Sequence, residues 1–212
     1  MLKLMPNGGK LEVRVKGPQV TPGYFRNPEM TAKAFDEEGF YIMGDAVRFA
    51  DPEDPAKGLF FDGRVSEDFK LTSGTWVSVG ELRLAGIDAL SPVAQDIVVA
   101  GHDRDAVTFL IFPNEQACRG LAGLPDAPLA EVLDHSAVRS HVASGLKALK
   151  DAGGGSSRYA TRARFLASPP DPDKGEITDK GYINQRQTLA NRQTDVDLLY
   201  GDDPVSFIVP AT

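Results

Sequence analysis

The sequence predicts an α+β fold made of two unequal parts. Segments that alternate apolar and polar residues fill positions 1–64, and little helix is expected there. From position 65 onward, helical and strand patterns are mixed, without the regular alternation that builds a parallel sheet. We therefore expect a β-rich segment at 1–64 and a small α+β domain at 65–212, with a β-hairpin or three-stranded sheet and helices.

The first part begins with hairpin signals. KLEVRVKG, at 10–17, predicts a half-buried strand because its apolar residues fall on alternate positions. The preceding PNGG, at 6–9, is typical of a hairpin turn. A short helix is then expected to begin between Pro28 and Thr31.

Two further segments of the first part favour β-structure. EEGFYIMGDAVRFAD, at 37–51, predicts a turn and two short strands, because Gly44 and Asp45 interrupt it. LFFDGRV, at 59–65, predicts another strand.

The second part contains the clearest helix. A first helix is expected to start near Gly80, and the segment 94–114 predicts a hairpin of two apolar strands around a polar turn. Within 135–155 apolar residues recur with helical spacing, Ser136 is the expected N-cap, and a run of three glycines ends the helix. A short strand is expected within 163–170, and a last helix is expected to begin near Tyr182.

Composition excludes several classes of function. The chain has 23 Lys and Arg against 30 Asp and Glu, and a net charge of −7 argues against non-specific binding to DNA or RNA. Cys118 is the only cysteine, so no intrachain disulfide is possible and a reducing cytoplasm is the simple interpretation. No apolar run approaches the roughly 18 residues of a membrane helix.

Four side chains are candidates for chemistry. Lys180 lies in a loop that contains glycines and could neutralise charge on a carboxylate or phosphate. The alternative is a solvated surface lysine, which is the commoner case. Lys174, in the same loop, is a second candidate for this role. Asp45 could accept hydrogen bonds from both hydroxyls of a ribose, or it could bond only to the backbone of its own turn. Arg64 could donate to the same ribose or to a phosphate, or it could form only a surface ion pair. The three histidines lack metal-ligand spacing, so no metal site is expected.

The order of the motifs resembles the C-terminal stretch of the acyl-adenylate-forming enzymes, which include acyl-CoA synthetases, peptide-synthetase adenylation domains and luciferases. That family carries GELxVxGxxVxxGY, then TGD, then GRxxDxxKxxGxxVxxxEIE, then a lysine in a terminal loop. Here the corresponding segments are GKLEVRVKGPQVTPGYF, GFYIMGDAVRF, FDGRVSEDFKLTSGTWVSVGEL and GEITDKGYINQR. The amino-acid sequences of the last two segments are similar to those of the feruloyl-CoA synthetase branch of the family, which implies an aryl carboxylic acid as substrate.

The resemblance implies a role for each matching residue. Asp45 would hold the ribose hydroxyls of ATP or AMP, and Arg64 would contact the same nucleotide. Ser66 occupies the hinge position, where the family usually has Asp or Lys. Gly74 would lie in the loop that faces the CoA channel, where glycine permits close approach of the backbone. Trp76 would pack that loop or serve as a core anchor.

The resemblance also implies a two-step reaction. A carboxylate attacks the α-phosphate of Mg²⁺-bound ATP, giving an acyl-adenylate and pyrophosphate, and Lys180 contacts both the carboxylate and the α-phosphate. Lys174 remains the alternative, because the usual glycine before the lysine is here Asp179. The small domain, 65–212, then rotates, and the CoA thiol displaces AMP.

The family's phosphate loop and acid pocket would lie upstream of this sequence. We therefore expect a C-terminal fragment, inactive alone, whose first partner is the missing N-terminal domain. Two alternatives stay open: a stand-alone binding module without chemistry, and the adenylation part of a carboxylic acid reductase-like enzyme. An unpaired sheet edge in segment 1–64 could also pair with a second copy and give a homodimer.

Overall fold

The computed structural model describes residues 1–7 and 9–212, which form two units, Met1–Asp68 and Phe69–Thr212. The chain combines seven α-helices with three sheets whose strand pairs are mostly antiparallel, so within the described residues the predicted α+β fold class is confirmed. None of the helices in the described residues is long and apolar enough to cross a membrane.

The first unit is built on an antiparallel sheet with the strand order β1-β2-β3-β4. Its elements are β1 (Leu2–Asn7), β2 (Lys10–Val15), α1 (Pro28–Ala34), β3 (Tyr41–Phe49) and β4 (Leu59–Arg64). Leu11, Val47 and Phe61 are partners across the three strands β2, β3 and β4, so one face of this sheet carries an apolar row.

The structure corrects one prediction in this unit and leaves another untested. Residues 41–49 form one strand, not two, because β3 is paired with β2 on one side and with β4 on the other. Gly44 is accommodated inside the strand at φ 73°, where the pairing with β4 shifts register between Asp45 and Val47. The turn predicted at 6–9 includes Gly8, which lies outside the described residues. The predicted start of α1 is confirmed at Pro28, and the Asn27 side chain caps it.

The second unit is built on a three-stranded sheet with the order β7-β8-β9, in which β7 and β8 are antiparallel and β8 and β9 are parallel. A small hairpin precedes it. The strands are β5 (Phe69–Lys70), β6 (Trp76–Val77), β7 (Ala94–Ala100), β8 (Thr108–Pro113) and β9 (Arg162–Phe165). The helices are α2 (Val79–Ala89), α3 (Glu115–Ala122), α4 (Leu129–Asp134), α5 (Ser136–Asp151), α6 (Gln185–Asn191) and α7 (Gln193–Tyr200).

The three-stranded sheet is buried on both faces, which explains why β7 and β8 are almost wholly apolar. Successive side chains of a strand point to opposite faces. Ile97 and Phe109 belong to the cluster that contains the apolar residues of α2 and α5, whereas Val98 and Leu110 belong to the cluster that contains those of α7. The sheet is therefore the middle of three layers, with α2 and α5 on one face and α7 on the other. The loop that leads to α6 begins at β9, an outer strand of this sheet.

Two helix starts differ from the predictions. Ser136 is not the N-cap of α5; His135 is, because its Nδ1 accepts a hydrogen bond from the backbone N–H of Ala137 at 3.3 Å. The last predicted helix does not begin at Tyr182. It begins at Gln185, where the Asn184 side chain accepts from the N–H of Gln187, and Tyr182 belongs to the turn before it.

Candidate functional site

Asp45 and Arg64 form an ion pair between neighbouring strands. They are register partners on β3 and β4, and Arg64 Nε lies 3.0 Å from Asp45 Oδ1. The Asp45 side chain is 22% exposed and that of Arg64 is 49% exposed, so both groups can be reached from solvent. The glycines that precede them, Gly44 and Gly63, have φ of 73° and 86°, a backbone conformation that favours glycine, and the pairing of the two strands shifts register directly after Asp45.

Two tyrosines beside this pair were missed by the sequence analysis. The hydroxyls of Tyr24 and Tyr41 are 3.1 Å apart, and this hydrogen bond together with burial raises the pKa of Tyr41, whereas the charge of Arg64 acts to lower it. Tyr41 stands on β3, the strand that also carries Asp45. The signal was present, because both tyrosines stand inside the motifs GYF and GFYIMGD. This part of the first unit combines a carboxylate, a guanidinium and two phenols.

The predicted hinge residue lies in an exposed turn. Ser66 is in the turn that the backbone N–H of Glu67 closes on the carbonyl of Arg64 at 3.2 Å. Lys10 of β2 binds the chain on both sides of this turn: its Nζ is 2.5 Å from the carbonyl oxygen of Asp62 and 2.7 Å from Asp68 Oδ2. The first unit ends at Asp68. The role of Ser66 as a hinge stays a prediction.

Gly74 lies at the turn of the small hairpin β5–β6. Its φ is 81°, its N–H donates to the carbonyl of Leu71 at 2.8 Å, and no heavy atom lies within 4 Å of an added Cβ. Glycine is therefore favoured here by the positive φ of the turn, since there is room for a larger side chain. Thr72 fixes the turn, because its hydroxyl is 2.6 Å from Asp105 Oδ1 in the loop between β7 and β8.

Trp76 is exposed beside the same turn. The residue is 41% exposed, and Lys70 Nζ lies 4.9 Å from the centroid of its ring, a cation–π contact. The hairpin therefore presents a glycine turn, an indole and an ammonium group on one exposed surface. Their proposed use in a CoA channel stays a prediction.

Lys180 is at the tip of a tight hairpin. The N–H of Thr178 donates to the carbonyl of Tyr182 at 2.8 Å, and the N–H of Gly181 donates to the carbonyl of Thr178 at 2.9 Å. Gly181 has a φ of 82°, which this turn requires. Lys180 is exposed, and no other group of the described residues forms a hydrogen bond or ion pair with its ammonium. Its ammonium therefore has no ion-pair partner among the residues that the structure describes.

Lys174 differs from Lys180 in this respect. Its Nζ is 3.4 Å from Asp171 Oδ2, and its carbonyl accepts a hydrogen bond from Asn191 Nδ2 at 3.1 Å. The backbone of Lys174 is thus held against the end of α6, and its ammonium already has a carboxylate partner. The two lysines that the sequence could not separate have different electrostatic surroundings.

The histidines do not assemble into a metal site. His102 pairs with Asp103, His135 caps α5, and His141 Nε2 is 2.8 Å from the carbonyl oxygen of Ser91. Within residues 1–7 and 9–212, no group of three or more His, Cys, Asp and Glu side chains is arranged to hold a metal ion.

Comparison with known proteins gives relatives of much greater length. No protein-family model matches the chain. A carboxylic acid reductase from Segniliparus rugosus is 27% identical over 191 residues, which make up 89% of this chain and 15% of that protein. A chloroplastic long-chain-fatty-acid–acyl-carrier-protein ligase from Arabidopsis thaliana is 30% identical over 210 residues, 93% of this chain and 26% of that protein. The chain thus spans about a quarter or less of the length of these two relatives.

A solved structure agrees with the sequence relatives. The A-PCP didomain of the Segniliparus rugosus carboxylic acid reductase, in complex with AMP, matches with a TM-score of 0.70 and 25% identity, over 90% of this chain and 24% of that one. The relatives and structural neighbours support membership of the acyl-adenylate-forming, or AMP-binding, superfamily, the class that the motifs predict. Within that class, the chain is similar to the adenylation region of carboxylic acid reductases and to acyl-activating ligases.

Proposed function

We propose that this chain is the C-terminal portion of an ATP-dependent ligase that joins an aryl carboxylic acid of the feruloyl type to CoA through an acyl-adenylate. The observation that carries the proposal is the exposed ammonium of Lys180, which has no ion-pair partner among the described residues and stands at the tip of a hairpin, in a chain whose relatives are adenylate-forming. Such a charge stabilises developing negative charge most effectively when no carboxylate of its own protein neutralises it.

In the first half-reaction, a carboxylate oxygen of the acid bonds to the α-phosphorus of ATP, and the bond from that phosphorus to the bridging oxygen of pyrophosphate breaks. Lys180 neutralises charge on the carboxylate and the α-phosphate. Asp45 accepts hydrogen bonds from the ribose hydroxyls, and Arg64 both orients this carboxylate and contacts the nucleotide. Magnesium accompanies ATP in this proposal; the described residues offer no three-ligand cluster for it, and we assign no ligand from this chain.

In the second half-reaction, the unit that follows Ser66 rotates and withdraws Lys180. The turn at Gly74, where an added side chain would point into open space, then borders the channel of the pantetheine arm. The thiol sulfur bonds to the acyl carbonyl carbon, the carbon–oxygen bond to AMP breaks, and the thiol proton leaves to solvent. Rotation of one domain between two half-reactions is a hinge-type switch.

A second candidate differs in the acceptor. The chain is similar to carboxylic acid reductases, and the solved structure of one of them is an A-PCP didomain. This similarity supports, as the second candidate, an adenylating region that delivers the acyl group to the thiol of a carrier protein. Both candidates share the first half-reaction. A chain that only binds a partner, without chemistry, would share neither half-reaction.

The partners follow from the same proposal. The short span of the chain relative to its relatives is consistent with a preceding domain that supplies the phosphate loop and the acid pocket. The outer strands β1 and β4 of the first sheet are edges that a second copy of the chain could extend, and sedimentation velocity of the purified chain tests for that dimer.

The test uses the full-length protein that we propose contains this chain. Pyrophosphate release is measured with ATP and ferulate, and with octanoate as an aliphatic control; acyl transfer is then measured to CoA and, separately, to a phosphopantetheinylated carrier protein. Ferulate-dependent release followed by transfer to CoA supports the ligase. Transfer only to the carrier protein supports the second candidate. Absence of acid-dependent release with every acid would overturn both.

A further inference from the structure

A buried ion pair lies at the base of the Lys180 hairpin. Arg192 Nε is 2.9 Å from Glu176 Oε1, and Arg192 Nη2 is 2.8 Å from Glu176 Oε2. The Glu176 side chain is 1% exposed, and it also accepts from Asn191 Nδ2 at 3.3 Å and from the backbone N–H of Asp171 at 2.9 Å. All four hydrogen bonds converge on one carboxylate, which is how a buried charge is tolerated.

Arg192 links this carboxylate to a second stretch of the same loop. Its Nη2 donates to the carbonyl of Pro169 at 2.9 Å, and its Nη1 donates to Ser168 Oγ. Arg192 stands between α6 and α7. The guanidinium therefore holds both ends of the segment 168–176 against the junction of these two helices.

The hairpin that carries Lys180 begins at Glu176. The N–H of Asn184 donates to the carbonyl of Glu176 at 2.8 Å, and a β-bridge joins Ile177 to Ile183. Lys180 is at the far end of this short ladder, four residues from Glu176. The backbone of Lys180 is therefore joined to Glu176 through this short ladder.

The other side of the hairpin leads into α6, whose first residue, Gln185, is fixed to the sheet. The side chain of Gln185, 4% exposed, accepts from the N–H of Val99 at 2.9 Å and donates to the carbonyl of Ile97 at 2.8 Å. These are the hydrogen bonds that a neighbouring strand would make to the outer edge of β7. Because the chain that follows the hairpin is bound to β7, the position of Lys180 depends on what holds the chain that precedes the hairpin, which contains Glu176.

We propose that Glu176 and Arg192 are positioning residues that hold Lys180 in place for the adenylation half-reaction. The inference rests on the function proposed above for Lys180. A flexible lysine on a mobile loop would sample many positions, whereas a charge that stabilises a transition state must be placed to within about 1 Å. The other charged groups near the pair are Asp171 and Asp195, which face Arg192, and Lys174, which binds Asp171.

The first experiment measures amide hydrogen exchange in the 212-residue chain and in the variants Glu176→Gln and Arg192→Lys. Exchange in residues 177–183 should accelerate about tenfold or more in both variants, whereas β8 and α5 keep their protection. Arg83→Gln is the matched control, because Arg83 forms a similar two-bond pair with Asp96, between α2 and β7. Unchanged exchange in 177–183 in both variants would overturn the proposal.

The second experiment measures the two half-reactions in the full-length protein. Glu176→Gln should lower the kcat of acid-dependent pyrophosphate release about tenfold or more with little change in the KM for ATP. Thioester formation from pre-formed adenylate should stay within about twofold, and Arg83→Gln should leave both rates unchanged. An equal loss of both half-reactions would identify a purely structural role and overturn the proposal. Should Glu176→Gln not fold, Arg192→Lys, which keeps the charge, gives the same comparison.

Lys180→Ala, measured in the same two half-reactions, separates this inference from the function on which it rests. If Lys180→Ala leaves pyrophosphate release unchanged, the proposed function of Lys180 fails. If Lys180→Ala abolishes release but Glu176→Gln and Arg192→Lys leave it intact, the lysine acts and the positioning role fails.

Discussion

Arg64 Nε lies 3.0 Å from Asp45 Oδ1, across the register pair that joins β3 to β4. The guanidinium fixes one oxygen of the carboxylate on a strand, a more rigid support than a loop provides. Because the side chain of Asp45 is 22% exposed, the group remains accessible to a ligand. This geometry suits a carboxylate that accepts hydrogen bonds from two neighbouring hydroxyls.

Replacing Asp45 with Asn should weaken AMP binding by the full-length protein. A hydrogen bond to a charged group contributes about 1.5–3 kcal/mol, so we expect a loss of about ten- to a hundredfold in affinity, measured by titration calorimetry. Asp51→Asn, in an exposed loop of the same unit, is the control and should leave the affinity unchanged. Equal affinity of the Asp45 variant and the parent would rule out the ribose contact.

The pKa of Asp36 gives a prediction for the first unit. The backbone N–H of Phe40, with Arg14 and Lys3 beside it, lowers the pKa of Asp36 from 3.8 to about 2. Glu12 binds Arg14 and Glu38 binds Lys3, so carboxylates share both cations. Because the folded value is below the unfolded one, the stabilisation is complete above about pH 4 and is lost as the pH falls towards 2.

Carbon-13 NMR of the Asp36 carboxyl in the 212-residue chain checks this prediction directly. Its titration midpoint should be near the depressed value, and the Asp36→Asn variant should lose the corresponding acid-dependent decrease in stability. Asp126→Asn, an exposed aspartate of the second unit, is the control. A midpoint close to that of a free aspartate would contradict the hydrogen-bond network that the structure shows around this carboxyl.

Cys118 should be inert while the second unit is folded. Burial, together with the nearby charge of Glu115, raises the pKa of its thiol to about 11, and the side chain is fully buried. At pH 8 the thiolate fraction is therefore on the order of one in a thousand, and access is blocked. A thiol reagent should label the chain only after urea unfolds it. Labelling of native protein at the unfolded rate would show that this core is open.

Gly145 is the glycine of α5 that packs against the end of α2. An added Cβ would lie 2.4 Å from the carbonyl oxygen of Ala89 and 2.5 Å from Leu90 Cδ2, so Gly145→Ala should destabilise the second unit by about 1–3 kcal/mol. The control is Gly120→Ala in α3, where nothing lies within 4 Å and helix propensity should add roughly 0.5–1 kcal/mol. Urea unfolding followed by Trp76 fluorescence measures both. Equal stabilities would contradict the close packing of α2 and α5.

The sequence was sufficient to predict elements with strong local patterns. Strand β2, the hairpin of β7 and β8, and helix α5 each follow from the spacing of their apolar residues, and all three are confirmed. The predictions failed where neighbours decide the outcome. Gly44 would break an isolated strand, but pairing on both sides keeps β3 continuous. Tyr182 has no local signal that excludes a helix; the turn around Lys180 holds it outside α6.

The candidate site shows the same limit. Motif order singles out Asp45, Arg64 and Lys180, because each stands at a fixed place in a pattern. Glu176 and Arg192 are 16 residues apart, and no local period predicts that they meet. The difference between Lys174 and Lys180 is likewise a matter of tertiary structure, since it depends on which lysine has a carboxylate within reach.

The measurement that tests the account most directly compares Lys180→Ala with Lys174→Ala in the full-length protein. Ferulate-dependent pyrophosphate release and thioester formation from pre-formed feruloyl-adenylate are measured separately for each variant. We predict that Lys180→Ala lowers the first rate at least a hundredfold, as about 3 kcal/mol of lost transition-state stabilisation requires, and keeps the second, whereas Lys174→Ala keeps both. Unchanged pyrophosphate release in Lys180→Ala would contradict the account.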